Sequence, residues 1–232
     1  MPLKFGCFVT GTDTDTGKTL IASALLLRCV ERGWRSVGMK PVAAGCLRDA
    51  DGIWRNTDVE QLIATGNLRA NAEDVNPYRF REAIAPHLAA AHEGCAMDFG
   101  HIQAAFRRLE AQAEAVVVEG AGGFLIPLGE NCDSAALAQE MGLPVVLVVG
   151  MRLGCLNHAL LTQEAIAARG LTLAGWVANR IDPAMSCFEE NLATLQARLR
   201  APLLGVVPYL PEAEPRLAAG WIRLPDVSPM LP

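Results

Sequence analysis

No two of the seven cysteines, at positions 7, 29, 46, 95, 132, 155 and 187, stand at C-x-x-C spacing, and their number is odd. That argues against a zinc site and against a disulfide frame; scattered reduced thiols, most of them small buried hydrophobes, fit better. Positive charge is also scarce. The net charge is −5 and the pI about 5.4, whereas a nucleic-acid or anionic-membrane partner wants a basic surface. Neither partner is expected, and any phosphate site must be a local concentration of positive potential. No uninterrupted apolar stretch reaches transmembrane length. The first apolar run ends in a glycine-rich turn at Gly11 without a small-residue cleavage site, so no secretory signal is read and a cytoplasmic protein is expected. Internal repeats and low-complexity segments are missing too.

What the chain does have is apolar material. Hydrophobic residues make up 51 % of 232 positions and charged residues 19 %, enough for one large core and a poor match to disorder. Short apolar runs alternate with helix-like stretches, the pattern of βαβ units and a mostly parallel sheet flanked by helices. Strands are expected at Phe5–Val9, Ser36–Lys40, Ala115–Val118, Pro144–Val149, Leu173–Ala178 and Leu204–Val207. The near-continuous Val and Leu of two of them suit burial on both faces. Helices are expected at Gly17–Arg32, Asp98–Ala113, Ser134–Met141, Asn157–Arg169 and Cys187–Leu199. Residues 66–94 read as an ordered loop region with short helical pieces. The proline-rich tail from about residue 209 is expected to run over the surface of a single 1–232 domain.

The first strand leads into Gly11-Thr12-Asp13-Thr14-Asp15-Thr16-Gly17-Lys18-Thr19, and a helix follows. Strand, glycine-rich turn, Gly-Lys-Thr and helix together make a P-loop. Backbone N–H groups of such a loop, from Asp13 through Thr16 to Gly17, curl around phosphate oxygens, and the helix N-terminus adds partial positive charge. Lys18 is expected to reach the β- and γ-phosphates of ATP, and the Thr19 hydroxyl to ligate Mg²⁺. Five residues rather than four separate the two glycines, so Thr12 stands where the first glycine usually does. Glu119 ends the run Ala115–Val118, at the strand edge where open α/β sheets bind ligands. P-loop enzymes keep an acid there for Mg²⁺; taken alone, the residue also reads as a strand-end acid facing solvent. Gly120-Ala121-Gly122-Gly123 follows and lets backbone approach a ligand closely.

Over nearly its whole length the sequence resembles the dethiobiotin synthetase family. The likeness rests on the P-loop with its extra residue and on Lys40-Pro41-Val42-Ala43-Ala44-Gly45, Asn76-Pro77-Tyr78 and Ala85-Pro86-His87. It rests also on Val118–Gly123, Leu153-Gly154-Cys155-Leu156-Asn157-His158, Gly175-Trp176-Val177-Ala178-Asn179 and Pro202-Leu203-Leu204-Gly205. The resemblance implies a ligase that makes a cyclic urea from 7,8-diaminononanoate, CO₂ and ATP, through a carbamate and a carbamic–phosphoric anhydride. It makes Thr19, Asp58 and Glu119 the Mg²⁺ ligands, three hard oxygen donors of the kind that ion prefers. Without it, Asp58 reads equally well as an acid at a helix N-terminus.

By the same resemblance Lys40 binds the carbamate and the developing phosphoryl charge, where residue chemistry alone allows a solvated strand-end lysine. Thr14 and Asp15 face the diamine, for an acid is unhelpful beside polyphosphate but useful beside a diammonium group. Asn179 reads adenine, donating and accepting at once, and Pro208 joins the nucleotide site. Gly122, Gly154, Cys155 and Asn157 belong to the substrate side, the last three on a segment that serves the other subunit of a homodimer. Two departures from the family pattern stand out. Ala44 replaces a residue that is often Ser or Thr, and Asn191 falls where the family often has Tyr. Two rival readings fit less well. A cobyrinate-type amidating synthase brings a glutaminase domain for which 232 residues leave no space. A partitioning or Min-type switch carries a lysine near the start of its P-loop, where this chain has Gly11-Thr12-Asp13.

Overall fold

A computed structural model describes residues 3–130 and 132–226. Ten strands and nine helices follow one another along those residues. β1 (Phe5–Gly11), α1 (Lys18–Glu31) and β2 (Ser36–Met39) come first. Then come β3 (Val42–Ala43), β4 (Leu47–Arg48), β5 (Trp54–Arg55), α2 (Thr57–Thr65), α3 (Ala72–Val75), β6 (Tyr78–Arg79) and α4 (Pro86–His92). The remainder is α5 (Phe99–Gln112), β7 (Ala115–Glu119), α6 (Ser134–Met141), β8 (Val145–Gly150), α7 (Cys155–Ala168), β9 (Leu173–Asn179), α8 (Phe188–Arg198), β10 (Leu203–Val207) and α9 (Pro215–Ala219).

Six of the strands form one parallel sheet in the order β10-β9-β8-β1-β7-β2. Residues alternate between its faces, as the pleat requires. Cys7, Val9, Ala115, Val117, Val146, Val148 and Val177 turn toward a layer that contains α1 and Leu62 of α2. Phe8, Val116 and Val118 pack against α5 and α6, while Leu147, Val149, Trp176 and Ala178 pack against α7 and α8. Both faces are covered, so the central strands are buried at every position. β1 lies between β7 and β8, so the chain passes from one side of it to the other after β7, and the crevice that this reversal opens lies beyond the carboxyl ends of the strands.

Residues 66–94 do contain short helices, α3 and α4, together with β6, which pairs with β3. α2 is an element that the apolar periodicity did not announce. Asn56 caps it by accepting from the N–H groups of Asp58 and Val59, a signal legible in Asn56-Thr57-Asp58. The helix expected from Asn157 begins two residues earlier, at Cys155, because Gly154 at φ 95° serves as its cap.

The tail departs from expectation. It runs over the surface only as far as Leu217; Ala218, Ala219, Ile222 and Leu224 turn back into the core around α1. The stretch between Pro215 and Pro225 is free of proline, and its apolar residues can bury. Ile222 bridges antiparallel to Gly205 of the edge strand β10. Residues 227–232 of the tail lie outside the described residues. A Cβ on Gly205 would sit 2.1 Å from the Trp221 carbonyl oxygen. Gly205→Ala is therefore expected to unseat the tail and lower stability by about 2–3 kcal/mol, measured as a urea midpoint shift with trypsin cleavage appearing at Arg216 or Arg223.

Candidate active site

Strand register assembles the centre of the site. Val9 pairs with Glu119, and Met39 pairs with Val118, so Lys40, one residue past β2, comes level with Glu119, the last residue of β7. Glu119 shares the parity of Val117 and so faces the α1 side, where Thr19 opens the helix. Its Oε1 atom accepts from the Thr19 hydroxyl at 2.8 Å and from Lys40 Nζ at 2.7 Å. Lys40 Nζ also pairs with Asp58 Oδ2 at 2.5 Å, which the first turn of α2 presents. The side chains of Lys40 and Glu119 are 7 % and 1 % exposed, while Asp58 is at the rim at 38 %. The second oxygen, Glu119 Oε2, is buried with no hydrogen-bond partner among the described residues.

The P-loop wraps over this centre. Gly17 is left-handed at φ 83° and has no room for a side chain, because a Cβ would lie 2.2 Å from Asn179 Nδ2. Asp15 is also left-handed, at φ 56°, a conformation that aspartate tolerates better than most residues. Lys18 Nζ folds back to donate to the Asp13 carbonyl at 2.8 Å, and the Thr16 hydroxyl donates to the same oxygen. Asn179, at the end of β9, donates to the Thr16 carbonyl at 2.9 Å. The Asp13 carboxylate is paired with Arg152 just past β8. The loop is thus held at its base by β9 and at its crown by its own lysine.

The two lysines of the site respond oppositely to their surroundings. Burial pushes the Lys18 ammonium below the ordinary lysine value, and neighbouring Lys40 adds to this against the attraction of Glu119. Burial acts on Lys40 in the same direction, but Glu119 and Asp58 outweigh it and its value is raised. The contribution of Lys40 to stability is therefore complete below the unfolded value of 10.5 and is lost only as pH rises through the higher folded one. For Lys18 the sign reverses: raising pH through its lowered value toward 10.5 adds stability. The chain holds only three lysines, and two are in this site.

A cavity of about 880 Å³ opens against these groups. Thr14, Asp15, Gly17, Lys18 and Thr19 line one wall; Lys40, Asp58, Glu119 and Gly122 line another. Residues given no role by the sequence close the rest: Ala83–Pro86 at one end, of which Ala85 and Pro86 belong to a family-like run, Gln61 of α2, and Ala213 of the tail. Asp13, Thr16 and Asn179 do not line the cavity. Gly120 is a glycine for packing, since a Cβ there would meet the Phe8 ring at 2.9 Å. Pro208, which follows β10, and Gly154, Cys155 and Asn157, which open α7, do not line this cavity. Cys155 is buried against Leu147 and Val149, whereas Leu153 beside it is 97 % exposed. Ala44 also lines the cavity, and there it offers only its backbone to a ligand.

Among the described residues no three His, Cys, Asp or Glu side chains form a metal cage. The donors nevertheless suit a hard divalent ion that completes its shell with phosphate oxygens and water. The Thr19 hydroxyl, the Asp58 carboxylate and the unpartnered Oε2 of Glu119 are all oxygen ligands. Three less obvious side chains support the site: Asn56, Asn76 and Arg152. Asn56 carried a helix-cap signal and Asn76 a place in a family-like run, but neither showed its function as a single letter.

Glu119→Gln leaves Lys40 buried with Asp58 alone, and the loss is expected to be about 3 kcal/mol in the nucleotide-free protein at neutral pH, read from denaturant unfolding. Gly17→Ala is expected to abolish nucleotide binding by forcing Asn179 out of place. Titration with a fluorescent ATP analogue checks this, and retained affinity would show that the loop can yield.

Residues 6–216 match the family described as AAA domain. The chain is 56 % identical over 218 residues to the ATP-dependent dethiobiotin synthetase BioD of Aromatoleum aromaticum, covering 94 % of this chain and 96 % of the relative. It is 50 % identical over 225 residues to the protein of the same name from Janthinobacterium, covering 96 % and 95 %. With that of Ralstonia nicotianae the identity is 49 % over 231 residues, covering 100 % and 99 %. The fold is shared with the septum site-determining protein MinD complexed with Mg-ADP from Pyrococcus horikoshii. That overlay has a TM-score of 0.54 at 17 % identity and covers 90 % of this chain and 82 % of the other. A likeness at that identity concerns architecture alone, but near-full-length identity of about half does more, and the chain belongs to the ATP-dependent dethiobiotin synthetase family.

Proposed function

We propose that this protein closes the ureido ring of dethiobiotin from 7,8-diaminononanoate, CO₂ and ATP, releasing ADP and phosphate in biotin biosynthesis. The observation that carries the reading is that Lys18 and Lys40, on a P-loop and a neighbouring strand end, face one cavity with Glu119 between them. One substrate amine takes up CO₂ as a carbamate and loses a proton. A carbamate oxygen attacks the γ-phosphorus, the bond to ADP breaks, and a mixed anhydride forms. The second amine attacks the carbonyl carbon and expels phosphate, closing the ring.

Each step asks for positioning and charge balance more than for covalent help. The backbone of Asp13–Gly17 cradles the phosphates. Lys18 leaves the Asp13 carbonyl for the β- and γ-oxygens, whose negative charge offsets the burial that lowers its value. Lys40 holds the carbamate and the developing phosphoryl charge from the opposite wall. Thr14 and Asp15 receive the ammonium end of the diamine, and Gly122 leaves room beside it. Asn179 presents its amide to the adenine, near Pro208. Thr19, Asp58 and Glu119 hold magnesium, which neutralises phosphate charge when bound.

The reading includes a homodimer in which Gly154, Cys155 and Asn157 serve the partner's substrate. The nearly bare Leu153 and the exposed Leu161 on α7 support it, because they place apolar surface beside that segment. A cytoplasmic setting is supported by seven free cysteines. No helix among the described residues is long and apolar enough to cross a membrane.

With Mg²⁺, ATP and bicarbonate, ADP release is expected to depend on the diamine and to yield a cyclic urea of matching mass; release indifferent to the diamine would leave only an ATPase. Lys18→Ala is expected to abolish phosphoryl transfer with the fold intact by circular dichroism. Lys40→Ala is expected to lower kcat by about 100-fold or more while ATP affinity holds, and an equal loss of both would remove Lys40 from the carbamate site.

A further inference from the structure

The segment that carries Lys40 is held in an unusual way. β2 ends at Met39, so the backbone of Lys40 has left the main sheet. Pro41 follows and offers no N–H. Up to Ala44 the chain runs along the cavity wall, where a lysine four methylenes long would gain little accuracy from a loose backbone. Two asparagines fix it. Asn76, 1 % exposed, donates to the Lys40 carbonyl at 2.6 Å and to the Tyr78 carbonyl at 3.0 Å. Both of its amide hydrogens are thereby spent on main chain. Asn56, 7 % exposed, donates to the Ala44 carbonyl at 3.1 Å, while its oxygen caps α2 through the N–H groups of Asp58 and Val59.

The two clamps act on different partners of one ion pair. Asn76 and the Val75 carbonyl, which accepts from the Lys40 N–H at 2.8 Å, grip the lysine from both sides of its Cα. Asn56 ties the far end of the segment to the helix turn that presents Asp58. The short ladder between β3 and β6 joins them, with Tyr78 N–H donating to Pro41 and Phe80 N–H to Ala43. Neither asparagine lines the cavity, yet the hydrogen bonds they make to the main chain define where the ammonium can go.

We infer that Asn76 and Asn56 are the positioning residues of Lys40, setting its ammonium against Glu119 and Asp58 and so against the transferring phosphoryl group. The inference rests on the catalytic place given to Lys40 above, and its test separates the two. Because the chain has only three lysines, at 4, 18 and 40, lysine labelled with ¹³C at Cε gives three side-chain signals. Lys4→Arg and Lys18→Arg assign them.

In Asn76→Ala the Lys40 signal is expected to move toward the position of a free lysine while that of Lys18 stays. Turnover should fall by roughly 10- to 100-fold with ATP affinity held within about twofold. Asn56→Ser keeps the helix cap without added charge but cannot reach Ala44, and it decides the question if Asn76→Ala does not fold. An unmoved Lys40 signal in the folded variants, or a moved signal with unchanged turnover, overturns the positioning role. A Lys40→Ala protein that turns over normally would instead overturn the place of Lys40 itself.

Discussion

One carboxylate organises the site. Glu119 is buried at the end of the central strand β7, and a charge taken out of water is tolerable only with partners close at hand. Its Oε1 atom receives both the first turn of α1, through Thr19, and the strand end of β2, through Lys40. Asp58 enters through Lys40, and with it the start of α2. Two elements are thus fixed to one oxygen atom directly and a third through Lys40, and the cavity lies between them. The arrangement also keeps Lys40 charged against strong desolvation, a condition for any part in handling anions.

The P-loop shows the complementary economy. Where Glu119 gathers two donors on Oε1, the loop has its cation turned inward on the Asp13 carbonyl. Left-handed backbone at Asp15 and Gly17 orients the turn, and the Asn179 amide occupies the space that a side chain on Gly17 would need. The end of β9 and the phosphate loop are therefore in direct contact, and the loop is braced from that side by Asn179.

How much of this was legible follows the physics of each element. The central strands announced themselves, because burial on both faces demands runs such as Val145–Val149, and the P-loop did because its glycine and lysine spacing has few other uses. Helix α2 was not announced by periodicity, since its buried face rests on only Val59 and Leu62. The tail misled because proline content says where a helix cannot run, and not whether the apolar residues beyond will find a core. Lys40 could be flagged as a lysine at a strand end, but its pairing with Asp58 depends on a register and a helix turn that no single-residue property encodes. Asn76 is further from view still: its importance lies in two backbone carbonyls, that of Lys40 just past β2 and that of Tyr78 in β6.

The tail has a consequence for assembly. Its return along β10, with Ile222 against Gly205 and the Arg223 N–H on the Leu204 carbonyl, occupies part of one open edge of the sheet. At the other edge, the N–H groups of Asn67 and Leu68 donate to the Ser36 carbonyl, and the Lys40 N–H donates to the Val75 carbonyl. Edges blunted in this way discourage another copy from extending the sheet strand by strand. The helix faces are left as the surfaces open to a partner, where side chains rather than backbone ladders would select it.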